Sequence, residues 1–82
     1  MKKIMNGLPV EFRCNLPIVE LTGNRRATIE GSTGVLKYGA DNIRINTSSM
    51  VIAFSGRGLR LRCISATSVV VEGFIGQIEF LT

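Results

Sequence analysis

Side chains able to do chemistry are few in this chain, and their types point away from catalysis. Ten Lys/Arg stand against six Asp/Glu, and there is no histidine. The group that most readily moves a proton near neutral pH is therefore absent. The carboxylates Glu11, Glu20, Glu30, Asp41, Glu72 and Glu79 are scattered singly at strand ends and on wet faces. A cysteine or serine nucleophile would need a lysine or a carboxylate as its base, and no local motif supplies one. Cys14 and Cys63, without histidine, make at most half a zinc site. The pairs Gly31/Gly34 and Gly56/Gly58 precede no helix, so they read as turn residues and not as a phosphate cradle. The expectation is a protein that is not an enzyme, with no catalytic, cofactor-binding or metal-binding residue.

The remaining chemistry is electrostatic. If neighbouring strands align in register, Lys37, Arg44, Arg60 and Arg62 share one solvent face, with Arg57 at a turn beside them. Such a face suits phosphate, lipid headgroups or an acidic protein. Binders of single-stranded nucleic acid interleave such charges with exposed aromatics. Only Tyr38 qualifies here, because Phe12, Phe54, Phe74 and Phe80 lie in apolar surroundings. The alternative function is a small basic β module that binds nucleic acid or, peripherally, an anionic membrane surface through Lys37, Arg44, Arg60 and Arg62, although the scarcity of exposed aromatics argues against nucleic acid as a partner. The simplest reading of the face is a solvated one, since a net charge of +4 is an ordinary solubility margin for a small domain.

The elements that must position these residues are short strands. Eight runs fill most of the chain: Ile18–Thr22, Ala27–Glu30, Gly34–Tyr38, Ile43–Thr47, Met50–Ser55, Leu59–Ile64, Val69–Glu72 and Ile75–Leu81. Glycine or small polar turns close them at Gly23-Asn24, Gly31–Gly34, Gly39–Asn42, Thr47–Ser49, Gly56–Gly58 and Ser65–Ser68. Loops this short join antiparallel neighbours. The predicted fold is all-β: one small domain, an antiparallel meander rolled into a sandwich or open barrel of about eight short strands. It spans residues 16–82, after an irregular lead-in over 1–15 in which Val10, Phe12 and Cys14 suit a short strand.

Alternation separates wet strands from dry ones. Ile43 and Ile45 oppose Arg44 and Asn46, and Leu59, Leu61 and Cys63 oppose Arg60 and Arg62. Met50–Phe54 and Val69–Val71 are instead apolar on both faces and need a second layer, from within the chain or from another copy. Met50, Ile52 and Phe54 are the candidate contact face of a homo-oligomer. Cys63 reads as a small core residue, and both cysteines as free thiols of a cytosolic protein. No secretory signal or apolar run long enough to span a bilayer is read.

Taken in order, Gly7-Leu8-Pro9, Asn15-Leu16-Pro17, Leu21-Thr22-Gly23-Asn24, Ile29-Glu30, Gly34-Val35-Leu36, Ile43-Arg44-Ile45, Leu59 and Leu61, Val71-Glu72-Gly73-Phe74-Ile75 and Ile78-Glu79-Phe80-Leu81 resemble the YabP/YqfC family of sporulation proteins, closer to the YqfC branch. A longer basic leader common in that family is here reduced to Lys2-Lys3. The resemblance implies a non-enzymatic structural or interaction protein, made in the mother-cell cytoplasm of an endospore-forming bacterium. It implies contact with itself or with another sporulation protein. It carries over no site residues, since the matching positions are turn glycines and alternating aliphatics.

Overall fold

Alternation along the chain builds six strands in the computed structural model of the protein, which describes residues 16–82. They are β1 (Ile18–Thr22), β2 (Arg26–Glu30), β3 (Ser32–Tyr38), β4 (Asn42–Thr47), β5 (Val51–Cys63) and β6 (Ser68–Leu81). All pair antiparallel in one sheet of order β1-β2-β6-β5-β4-β3. The all-β antiparallel expectation holds, with six strands in place of eight. The four runs expected from Met50 onward are two long strands, β5 and β6.

The difference lies in what the glycines do. Gly56–Gly58 and Gly73 do not end strands. They sit where the β5–β6 pairing slips, between Ser55 and Gly56 and again between Arg57 and Arg60. At the first slip Gln77 and Ile75 face Ser55 and Gly56, leaving Gly76 extra on β6. At the second, β5 holds the extra residue. A bulge bends its strand and sharpens the twist, so two in succession turn the whole β5–β6 hairpin back over itself.

The bend divides the sheet into two halves. In one, β4 pairs with the first half of β5, which pairs with the end of β6. In the other, the β1–β2 hairpin pairs with the start of β6, which pairs with the end of β5. Strands β3 to β6 thus run as a meander, while β2 and β3, consecutive in sequence, lie in different halves. Gly31, at φ 96°, swings the chain across, and the Gly31 and Ser32 N–H groups both donate to the Thr67 carbonyl.

The inner faces of the two halves close on one apolar cluster. Ala27, Ile29, Val69 and Val71 come from one half, and Ile43, Ile45, Ile52 and Phe54 from the other, with Leu59 and Ile75 at the bend. At the exposed rim the Tyr38 hydroxyl, on edge strand β3, accepts a hydrogen bond from the Leu61 N–H (3.4 Å). The second layer required by Met50–Phe54 therefore comes from within the chain. Ile52 and Phe54 are 0% exposed and only half-buried Met50 reaches the rim, so this face is core and not an open contact surface. The opposite side of those strands is covered too. Ala53 lies in register between Arg44 and Glu79, and Val70 between Thr28 and Arg62, and both are buried. Long charged side chains lay their apolar stems over such positions. Cys63, by contrast, is an exposed free cysteine at the end of β5 and not a core residue. Cys14 and the lead-in over 1–15 lie outside the described residues.

Backbone contact at the bend makes two glycines irreplaceable. A Cβ at Gly56 would collide with the Phe74 carbonyl. One at Gly73, whose φ is +133°, would lie 2.5 Å from the Gly58 oxygen. Gly56→Ala and Gly73→Ala are each expected to cost more than about 2 kcal/mol in urea unfolding. Gly34→Ala, with nothing within 4 Å of the new atom, should stay within about 0.5 kcal/mol of wild type. Equal stability of all three would refute the bend.

Candidate functional site

Five of the seven Lys/Arg side chains in residues 16–82 gather on the outer surface at the bend: Arg25, Arg26, Arg57, Arg60 and Arg62. Two segments deliver them, the β1–β2 turn with the start of β2, and β5. The β1–β2 turn closes with the Arg25 N–H donating to the Thr22 carbonyl (3.2 Å), Gly23 supplying the positive φ of 54° that the turn needs. That turn is docked on β6. The Asn24 carbonyl accepts from the Ile75 N–H (2.8 Å), and the Arg25 carbonyl accepts from the Gly73 N–H (3.1 Å). These two bonds use β6 donors at its bulge and hold Arg25 and Arg26 against Gly73-Phe74.

Strand register places the rest. Arg26, Glu72 and Arg60 lie side by side across β2, β6 and β5, and Arg62 stands one row away opposite Val70. Glu72 is the hub. Its carboxylate is 3.3 Å from the Arg26 guanidinium, 3.2 Å from that of Arg62 and 3.9 Å from that of Arg60. The Glu72 side chain is only 18% exposed, whereas the three arginines are 53–75% exposed. One carboxylate thus answers three guanidiniums and leaves most of their N–H donors facing water.

Phe74 forms the other half of the site. Its ring, in a residue 49% exposed, has the Arg25 guanidinium 4.3 Å from its centroid and that of Arg57 at 5.8 Å. Both distances fall within cation–π range. A polar cavity of about 300 Å³, lined by Thr22, Arg25, Arg26, Arg60, Glu72 and Gly73, opens between the β1–β2 turn and the Glu72 hub. The chemistry on offer is recognition of an anion beside an exposed aromatic ring.

The four basic residues expected to share a face do not. Arg60 and Arg62 belong to this site, with Arg57 beside it, but Lys37 and Arg44 pair with each other on β3 and β4, next to Ala53 and Glu79. That row is the outer surface of the opposite half. Folding the sheet over one core turns the two outer surfaces away from each other. Arg25, Arg26 and Phe74 were not singled out from sequence. The adjacent pair Arg25-Arg26, directly after the Gly23-Asn24 turn, was the available signal. Phe74 gave none, because its neighbours Gly73 and Ile75 make it look like core. Among the described residues no three His, Cys, Asp or Glu side chains gather to hold a metal ion, and no helix is long and apolar enough to cross a membrane.

Residues 16–82 match the family model described as YabP family. No curated protein and no solved structure matches the chain.

Glu72 is expected to restrain the arginines at low salt. Glu72→Gln keeps the shape and removes the charge that three guanidiniums share, so it should destabilise by about 1 kcal/mol at low ionic strength. The loss should shrink in molar salt, where like-charge repulsion is screened. Arg62→Ala, an exposed partner, should cost about half as much or less. A Glu72→Gln effect independent of salt in denaturation midpoints would show that charge is not what this residue contributes.

Proposed function

The chain belongs to the YabP family, and we propose that it is a non-enzymatic interaction protein of sporulation, acting in the mother-cell cytoplasm through contact at the arginine–Phe74 surface. Family membership supports the sporulation role. The motifs from Gly7-Leu8-Pro9 to Ile78-Glu79-Phe80-Leu81 support the finer position near the YqfC branch. The observation that carries the contact reading is the composition of the bend: arginines and an exposed aromatic ring on a rigid, backbone-bonded platform. Arginine and aromatic side chains dominate binding energy at protein interfaces, because they offer large area with directional donors.

Binding of nucleic acid or an anionic membrane by the same guanidiniums is the second reading, favoured by their exposure. Salt separates the two. Counterion release makes nucleic-acid affinity fall steeply with salt, whereas contacts with an apolar component respond less. Disrupting the gene in its native host should arrest or impair spore formation at a stage visible by microscopy. Full rescue is expected from the wild-type gene and reduced rescue from one carrying Arg25→Glu and Arg60→Glu together. Normal spores after disruption would remove the sporulation role.

Self-association is part of the proposal, at a different place from the Met50 strand. Edge strand β3 carries exposed Leu36 and Tyr38, and edge strands pair readily with further strands. Sedimentation at micromolar concentration should report a species larger than the monomer, and Leu36→Lys should shift it toward monomer without loss of fold. A wild type that stays monomeric at all concentrations would end this part of the proposal.

A further inference from the structure

Resting on that contact reading, we propose that the groove around the β1–β2 turn takes an acidic polypeptide segment, a carboxylate entering the arginine cavity and a neighbouring apolar side chain lying on the far side of the turn. Depressions flank the turn. On one side is the charged cavity of about 300 Å³ beneath Arg25, Arg26 and Arg60. On the other are two shallower hollows that share Asn24, Ile75 and Gly76. One, of about 180 Å³, lies against Arg57 and Phe74, and the other, of about 160 Å³, against Leu21 and Ile78. Charge and apolar surface therefore alternate across a single turn, and Leu21 (55% exposed) stays open to a partner while two guanidiniums attend the half-exposed Phe74 ring.

Charge complementarity selects the partner. Five guanidiniums stand against Glu72, the one carboxylate bridged to them, with Glu20 in the row of Arg62, so the surface carries excess positive charge that an acidic chain would relieve. Glu72 shows that the spacing suits a carboxylate, holding three guanidiniums at 3.2–3.9 Å. Each guanidinium meets Glu72 through one terminal nitrogen, leaving its other donors for a second carboxylate. A single-stranded nucleic acid needs free aromatic faces for its bases. Here guanidiniums at 4.3 and 5.8 Å already attend the Phe74 ring. A membrane surface is flat, while this site is three hollows arranged on the two sides of a turn. The geometry favours a polypeptide.

The test is a titration of ¹⁵N-labelled protein, followed by amide shifts. The probes are a synthetic peptide alternating Asp and Glu with Leu, the same peptide with Gln for every acid, a single-stranded oligonucleotide, and phosphatidylglycerol vesicles. The acidic peptide alone should move the amides of Thr22, Arg25, Arg26, Gly73 and Phe74. Affinity should fall about tenfold with Arg25→Glu plus Arg60→Glu, and weaken as salt rises. Lys37→Glu, on the opposite surface, should leave it unchanged. A salt series on the wild type, and the milder Arg60→Gln, keep the result readable should the double variant not fold. The proposal is overturned by an equal response to the Gln peptide, by shifts confined elsewhere, by silence at millimolar peptide, or by tighter binding of oligonucleotide or vesicles at the same amides. Its failure is separable from failure of the sporulation role. Gene disruption tests that role without reference to this surface, and peptide binding would stand even if spores formed normally.

Discussion

Backbone touching backbone at the bend of the β5–β6 hairpin is the constraint on which the rest of the structure depends. Gly56 lies against the Phe74 carbonyl and Gly73 against the Gly58 oxygen, so closely that no side chain fits at either glycine. With side chains there, the two long strands would run straight as a flat two-stranded ribbon. Ile29 and Val71 would then face water on one end, and Ile45 and Ile52 on the other. Folded back, the two halves cover each other, and every one of these residues is fully buried. A single sheet thereby acquires the two layers that a hydrophobic core requires. A small chain without tryptophan closes its interior with aliphatic side chains and Phe54.

The edge hairpins lock that bend from both sides. The Asn24 and Arg25 carbonyls take the Ile75 and Gly73 donors on β6, and the Ala40 and Asp41 carbonyls take the Leu59 and Gly56 donors on β5. A bulge leaves ladder groups without their strand partners, and an unpaired buried donor is costly. Here two turns, one from each half, supply the missing acceptors. The same bonds that satisfy β6 also carry Arg25 and Arg26 to Glu72 and Phe74. Stability and surface chemistry at this point are one arrangement, so the arginine surface rests on a rigid base and not on a free loop.

Exposed ion pairs such as those of Arg60 and Arg62 contribute little to holding a fold together. Their clustering is better understood as surface potential. Lys37 and Arg44 on the far side have Glu79 in their row, whereas the five cations at the bend have Glu72 bridged to three of them and Glu20 in the row of Arg62. The molecule is thus polarised toward one patch, and it is the patch where an aromatic ring is also open.

Much of this was legible from residue types. Strand β1 lies at Ile18–Thr22, where the sequence reading placed it. The alternation of Ile43 and Ile45 with Arg44 correctly sorted inner from outer positions, because side-chain direction in a strand depends only on the parity of local positions. Gly23-Asn24 announced its hairpin, since turn geometry is likewise local. Non-local facts were not legible. Whether Gly56–Gly58 ends a strand or bulges inside one depends on what lies across from it on β6, some eighteen residues further along. Whether Ile52 and Phe54 meet another copy or the other half of their own sheet depends on the direction of that bend. Lys37 and Arg44 have the same local pattern as Arg60 and Arg62, yet end on opposite surfaces for the same reason. Composition and periodicity determined an all-β protein with dry and wet faces; the tertiary structure alone decided which faces meet and which charges gather, because both follow from backbone contacts between residues distant in the chain.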